Sequence, residues 1–177
     1  MPAEAVERVR ELYRRLGGDA EDFVVFRPGV WDIVLADGVV VELDEEQHFN
    51  RYRRVTLEPA WADRLPWASA YRDYCGEHEA AALRKAKRGG YWASPSTERM
   101  FGPAAEPGSF EGNGSPRWKQ RALYDAMRDA LAAAGEVRLA RVAVWDAVGE
   151  TTLARVLDGR ADADHEALAE LLAARTT

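Results

Sequence analysis

Apolar residues recur at helical spacing in the opening segment, at Val6, Val9, Leu12, Tyr13 and Leu16, with Arg and Glu between them. This periodicity predicts a first helix that stops at Gly17-Gly18, where a left-handed cap forms at little steric cost. Three β-like runs follow, Phe23 to Phe26, Val30 to Leu35 and Val39 to Leu43, separated by Pro28-Gly29 and by Asp37-Gly38. Asp-Gly between apolar runs is a tight-turn signal, so the three read as a meander whose last two strands form a hairpin. The pattern then turns polar from Asp44 to Arg54, with Phe49 and Tyr52 three apart, which suits a loop or short helix leaving the sheet.

Further along, Trp67 to Lys87 reads as a helix interrupted near Gly76, with Trp67, Tyr71 and Tyr74 on one face expected in the core. Glycines, prolines and serines from Gly89 to Pro116 predict a long irregular loop. Pro116 suits the first position of a helix that carries Leu123, Tyr124, Met127 and Leu131 on one side as far as Gly135. Val137 to Trp145 resembles a buried fourth strand, and short helices are expected over Thr152 to Leu157 and Asp164 to Ala174. The order is α, β, β, β, a polar insertion with helices, α, β, α, an α/β class. A length of 177 residues fits a single domain, with the helical and loop insertion at about 55–115.

Composition adds three constraints. The formal net charge of −6 opposes nonspecific attraction to a polyanion, but Met1 to Glu46 holds 12 acids against 5 bases and Arg84 to Arg121 holds 8 bases against 3 acids. The middle of the chain is therefore its basic part. Cys75 is the single cysteine, which excludes an intrachain disulfide and a multi-cysteine zinc site and fits a reducing compartment. The start, MPAEAVERVR, has no apolar h-region and no window is long and apolar enough to span a bilayer, so a soluble cytoplasmic protein with no membrane partner is expected.

Candidate chemistry concentrates in Val30 to Asn50, VWDIVLADGVVVELDEEQHFN. Asp32 falls between apolar neighbours in one strand of the hairpin and Glu42 in the other, with Asp44 on the same face as Glu42 because strand side chains alternate. Three carboxylates are expected to converge. Such a cluster repels itself when ionised and calls for a cation, and oxygen ligands suit Mg²⁺ or Mn²⁺ better than zinc.

A strand aspartate, a hairpin and then Glu-x-Asp-x-x-Gln-His-Phe resembles the PD-(D/E)xK nucleases, specifically the branch with very-short-patch-repair endonucleases and related nuclease domains. The resemblance implies a restriction-endonuclease-like core, a mixed four-stranded sheet in the order α-β-β-β-α-β flanked by helices. It implies a Mg²⁺- or Mn²⁺-dependent endonuclease or nickase acting on DNA, with Asp32 and Glu42 as metal ligands and the Leu43 carbonyl beside them. Asp44 takes the position of the motif lysine, as is usual in this branch, while Gln47 and His48 match the polar pair that follows. Glu45 replaces the family's glycine. On the later helix, Gln120 to Tyr124 has the form Gln-x-x-x-Tyr of RecB-like members, and neighbouring Lys119 is placed to supply the missing ammonium.

Arg51, Arg53 and Arg54 directly follow the acids, and Arg117, Lys119, Gln120 and Arg121 open the later helix, so these residues are the candidates for a nucleic-acid backbone. Arg84, Lys85, Lys87 and Arg88 equally complement a helix C-terminus, and Tyr91 and Trp92 are expected to pack rather than stack on a base. Two alternatives stand beside the nuclease. One is a catalytically silent member of the fold that binds DNA or a protein, and the other is a hydrolase of small phosphorylated molecules.

Overall fold

The computed structural model describes residues 1–19, 29–86 and 92–177. The opening periodicity produces α1 (Ala3–Arg15), which buries Val9, Leu12 and Tyr13 and ends ahead of Gly17 at φ +88°. The expected strand over Phe23 to Phe26 lies outside the described residues. The hairpin forms as β1 (Ile33–Val34) antiparallel to β2 (Val40–Asp44), with Gly38 at φ +85° in the turn. Pairing covers only two residues of the second run, and Ile33 and Val34 are 52% and 64% exposed. Asp32 thus stands at the exposed head of an edge strand, not inside a half-buried one.

Next come a 3-10 turn (Glu46–His48), α2 (Arg51–Thr56), a second 3-10 turn (Ala60–Arg64) and α3 (Ala68–Ala86). The Asn50 side chain caps α2 by accepting from the amides of Tyr52 and Arg53. Helix α3 runs through Gly76 without a break. Burial of Tyr71 and Cys75 on its inner face, with Trp67 buried just ahead of its start, outweighs the roughly 1 kcal/mol that glycine costs an exposed helical turn. A methyl group at Gly76 would meet only Arg54 Nη1 at 3.7 Å, an ordinary contact. Gly76→Ala is therefore expected to stabilise the protein by about 0.5–1 kcal/mol, read as a higher urea midpoint at unchanged slope.

The expected irregular loop contains α4 (Pro95–Phe101). Its start carries a capping box, with Ser94 accepting from the Thr97 amide and Thr97 accepting from the Ser94 amide, so local side chains form a helix where composition suggested none. Trp92 packs with Phe110 and Trp118 in a small apolar cluster; Lys87, Arg88 and Tyr91 lie outside the described residues. Then α5 (Pro116–Ala133) begins at Pro116, capped by Ser115 Oγ, and leads into β3 (Leu139–Ala143). A small hairpin, β4 (Ala147–Val148) and β5 (Thr151–Thr152), precedes α6 (Leu153–Leu157) and α7 (His165–Ala174).

The main sheet has the order β1-β2-β3, with β2 and β3 parallel and Glu42 opposite Arg141 in the register. Among the described residues it has three strands, and the only other pairing of strands is the β4–β5 hairpin. Val39, Val41, Ala140 and Val142 pack with Leu168 and Leu172 of α7 on one face. The opposite face is apolar at Val40, Leu139 and Ala143, where it meets Phe49, Trp67 and Tyr71, and charged at Glu42, Asp44 and Arg141. Helix α5 covers that charged part. Its Leu123, Ala126, Met127 and Ala130 bury against α1, leaving Arg121, Asp125, Arg128 and Asp129 on the side toward the sheet. Among the described residues no helix is long and apolar enough to cross a membrane.

Candidate active site

A cavity of about 450 Å³ opens at the carboxyl end of β2, lined by Asp32, Ile33, Glu42, Leu43, Asp44, Glu45, His48 and Arg128. The hairpin places its two leading acids there. Asp32 reaches across to accept from the Leu43 amide at 2.9 Å, which fixes its carboxylate beside Glu42. Glu42 is 4% exposed, 3.3 Å from Arg128 Nη1 and 4.0 Å from Arg141 Nη2. Its carboxyl is pushed up to about 7 by burial, against the pull of Arg141 and Arg128 and with the help of Asp32. One of its oxygens, Oε1, is buried with no hydrogen-bond partner.

Asp44 shares the face of Glu42 but is not a free ligand. Arg141 donates from Nη1 to both Asp44 oxygens, at 2.9 and 2.7 Å, so the three acids do not converge as one open cluster. His48 Nδ1 lies 3.2 Å from Asp44 Oδ1 and 2.8 Å from Asp125 Oδ2. Burial favours the neutral ring, yet Asp125 and Asp44 outweigh it and raise the His48 pKa. Burial likewise opposes ionisation of Asp125, but His48 and Arg141 hold that carboxyl well below the usual carboxylate range. The ring is thus an oriented group whose charged form both acids favour and whose edge lines the cavity.

Behind these residues lies a buried charge network. Arg141 also stands 3.4 Å from Asp125 and 3.3 Å from Asp129, and Arg53 donates to Asp129 at 2.6 Å. Arg53, Arg128, Arg141 and the His48 ring are interleaved with Glu42, Asp44, Asp125 and Asp129. Asp32 and Glu45 add two further carboxylates to the cavity wall outside this network. Helix and strand spacing do not point to Asp125, Arg128, Asp129 and Arg141, although an arginine inside the apolar strand LARVA is the same signal as an aspartate between the apolar neighbours of Asp32. Two acids four apart behind the Leu123–Met127 stripe of α5 are its counterpart on the helix.

Several expected contacts fall elsewhere. Arg53 is fully buried against Asp129, so its charge is spent inside the protein and not on a nucleic acid. Arg51 grips Glu79 through Nε and Nη2 and lies over the Phe110 ring, while exposed Arg54 donates to the Arg72 carbonyl. Lys119, 6% exposed, donates to Asn113 Oδ1 at 2.6 Å between the rings of Tyr52 and Phe101, on the far side of α5 from the cavity. It does not replace the motif lysine, because two residues along a helix turn a side chain to nearly the opposite face. Gln120 is buried with its amide on Met100 Sδ, and its oxygen accepts from Arg117. Arg121 donates to Gln47 at 3.0 Å beside the 3-10 turn, which places Gln47 at the rim and not within the cavity lining. Exposed Glu45, in place of the glycine, is accommodated in extended backbone at φ −79°.

The residues present fit a divalent cation at Asp32 and Glu42. Both offer hard carboxylate oxygens, and the orphaned Glu42 Oε1 lacks the donor or cation that a buried acceptor needs. Asp44, His48 and Asp125 also bring ligand atoms within 4.8 Å of one another. That group, however, is closed: its acids already accept from Arg141 and its ring nitrogen already sits between them.

A family model described as a family of unknown function, DUF7255, matches residues 11–159. The chain belongs to DUF7255. Every residue lining the cavity lies within the segment matched to DUF7255, as does the buried network, whereas α7 lies beyond it. No curated protein and no solved structure matches the chain.

Proposed function

We propose that this DUF7255 member is a metal-dependent nuclease that hydrolyses phosphodiester bonds in DNA, as an endonuclease or nickase. One observation carries the reading: Asp32 and Glu42, from the two strands of a hairpin, line one cavity with His48 and Arg128 while a buried Glu42 oxygen has no partner. The protein is read as a restriction-endonuclease-like core with a mixed sheet, and the three-stranded β1-β2-β3 sheet of the described residues supports that reading. Asp32 and Glu42 hold Mg²⁺ or Mn²⁺. A divalent ion supplies polarisation of a phosphoryl oxygen and a bound water of lowered pKa. His48, steered by Asp125 and carrying a raised pKa, donates a proton to the leaving oxygen. Arg117 hydrogen-bonds to the neutral amide of Gln120, leaving its charge for a phosphate backbone, while Arg121, on Gln47, stands in the field of Asp125, Glu45 and Asp44 at the rim.

The test is incubation of the protein with supercoiled and linear DNA in Mn²⁺, beside Asp32→Ala. Asp32 is exposed and makes one hydrogen bond, so the variant is expected to fold with a loss of about 1 kcal/mol or less. Cleavage is expected to fall roughly a hundred-fold or more, since metal activation contributes several kcal/mol. Equal cleavage by variant and wild type would overturn the assignment. A silent DNA- or protein-binding module is the second reading, favoured by the arginines that already neutralise Asp44 and Glu42. It predicts no rise in melting temperature with Mg²⁺ or Mn²⁺.

A further inference from the structure

Two buried polar atoms of opposite sense lack partners on the residues of the cavity wall: Glu42 Oε1, an acceptor, and Arg128 Nε, a donor. Arg128 has three other holds. Its Nη1 is 3.3 Å from Glu42 Oε2, its Nη2 donates to the Val30 carbonyl at 3.1 Å, and its guanidinium lies over the Trp31 ring at 5.5 Å. The fork is thus incompletely satisfied, and its only acidic partner within ion-pair distance among the described residues is the carboxylate assigned to the metal. Arg128 also shares the sheet-facing side of α5 with Asp125 and Arg121, so it stands beside the dyad of His48 and Asp125.

We infer that Arg128 is the residue that holds a non-bridging phosphate oxygen of the substrate, and that it stays on Glu42 until a divalent cation takes over that carboxylate. The inference rests on the nuclease reading and names how its site receives substrate. Once Glu42 is neutralised, Arg128 has lost its counter-ion, and a poorly paired, mostly buried guanidinium is costly. A phosphate oxygen answers that need, because the planar fork matches phosphate geometry. Cation and phosphate therefore bind with positive coupling, and the coupling is reciprocal. Without the cation, Arg128 is held by Glu42 and the site grips phosphate weakly.

The experiment titrates the full chain with Mn²⁺ by calorimetry, then with a short single-stranded phosphorothioate DNA and, separately, with inorganic phosphate, each with and without Mn²⁺. In the wild type, Mn²⁺ is expected to tighten oligonucleotide binding about ten-fold, within the usual range for coupled sites. Arg128→Gln is expected to bind Mn²⁺ several-fold more tightly, because a competing cation is gone, while losing nearly all of the Mn²⁺ effect on the oligonucleotide. A residue that merely propped the Val30 segment would weaken both together. Arg128→Lys keeps the charge and the aliphatic stem but not the fork, so it should keep wild-type Mn²⁺ affinity and lose most of the coupling even if the glutamine variant misfolds. Unchanged coupling in Arg128→Lys, or weaker Mn²⁺ binding in a folded Arg128→Gln, overturns the inference. Wild-type protein that binds no Mn²⁺ overturns the nuclease reading and this inference with it. Mn²⁺ binding with Arg128 variants that behave as wild type overturns the inference alone. Coupling to inorganic phosphate without coupling to the oligonucleotide keeps Arg128 as the phosphate holder and removes DNA as its source.

Discussion

Arg141→Ala is expected to destabilise the protein by about 3–5 kcal/mol, more than any other single substitution near the cavity, because it strands acids that are already out of water. Arg141 is fully buried on the middle of β3, donates to both oxygens of Asp44, and stands within 3.4 Å of Asp125 and Asp129. Burial disfavours its charge, and Asp44, Asp129 and Asp125 together outweigh that penalty and keep it protonated. Truncation removes the cation but leaves Asp44, Asp125 and Asp129 where they are. Urea unfolding at neutral pH should show the loss, and it should persist at high salt because buried pairs are poorly screened. Arg51→Ala is the contrast: its partner Glu79 lies toward the surface, and about 1 kcal/mol or less is expected. Adding Asp44→Asn to an Arg141→Met background should recover part of the loss, since the stranded charge is then absent. A cost for Arg141→Ala below about 1 kcal/mol would mean that the network is not held together by this cation.

Glu42→Gln is expected to do the opposite to the fold while ending any response to divalent cations. The Glu42 carboxyl sits at about 7 in the folded protein against an ordinary 4.5. Between those values the folded chain holds a proton that the unfolded chain has released, so stability falls as pH rises through this window and the full loss is present above about 7. At roughly 1.4 kcal/mol per unit, the cost approaches about 3 kcal/mol at alkaline pH. His48, whose pKa is also raised, contributes with the same sign: its stabilising charge is lost as pH rises through its folded value. Glutamine stays neutral, so in chelator the variant should gain up to about that amount at pH 8 and show a flatter stability profile from acid to neutral pH. Melting temperature measured with Mn²⁺ should rise for the wild type and stay unchanged for the variant. A Glu42→Gln protein no more stable than wild type at pH 8 would show that the Arg128 and Arg141 contacts outweigh the burial of the acid. Stability and ligand capacity are therefore opposed at this one carboxyl group.

Much of the architecture was legible in spacing alone. Period-3.6 stripes in α1 and α5, Asp37-Gly38 between apolar runs and Pro116 after Ser115 each have a local physical cause, and each forms where its pattern predicts. Where structure and pattern differ, the cause is also local. Gly76 breaks a pattern but not a helix whose inner face is fully packed, and the capping pair Ser94 and Thr97 builds α4 within a stretch that composition alone marks as loop. Ile33 and Val34 look like a buried strand because apolar residues do not report whether anything lies above them, and here they are an exposed edge.

The sequence by itself determined that Asp32 and Glu42 lie on adjacent strands of one hairpin, whereas the three-residue loop over 36–38 set the register that puts them on one face, since a two-residue Asp37-Gly38 loop would have paired Asp32 with Leu43. It determined equally that Asp44 accompanies Glu42. Only the tertiary structure decided which acids remain open, because their counter-ions arrive from α5 and β3, dozens of residues away in the chain. Arg141 closes Asp44, Asp125 turns His48 toward the cavity, and Arg128 covers half of Glu42 while leaving its other oxygen unpartnered. Short-range periodicity encodes which face a side chain takes, whereas the charge it meets there depends on long-range packing that no local pattern contains.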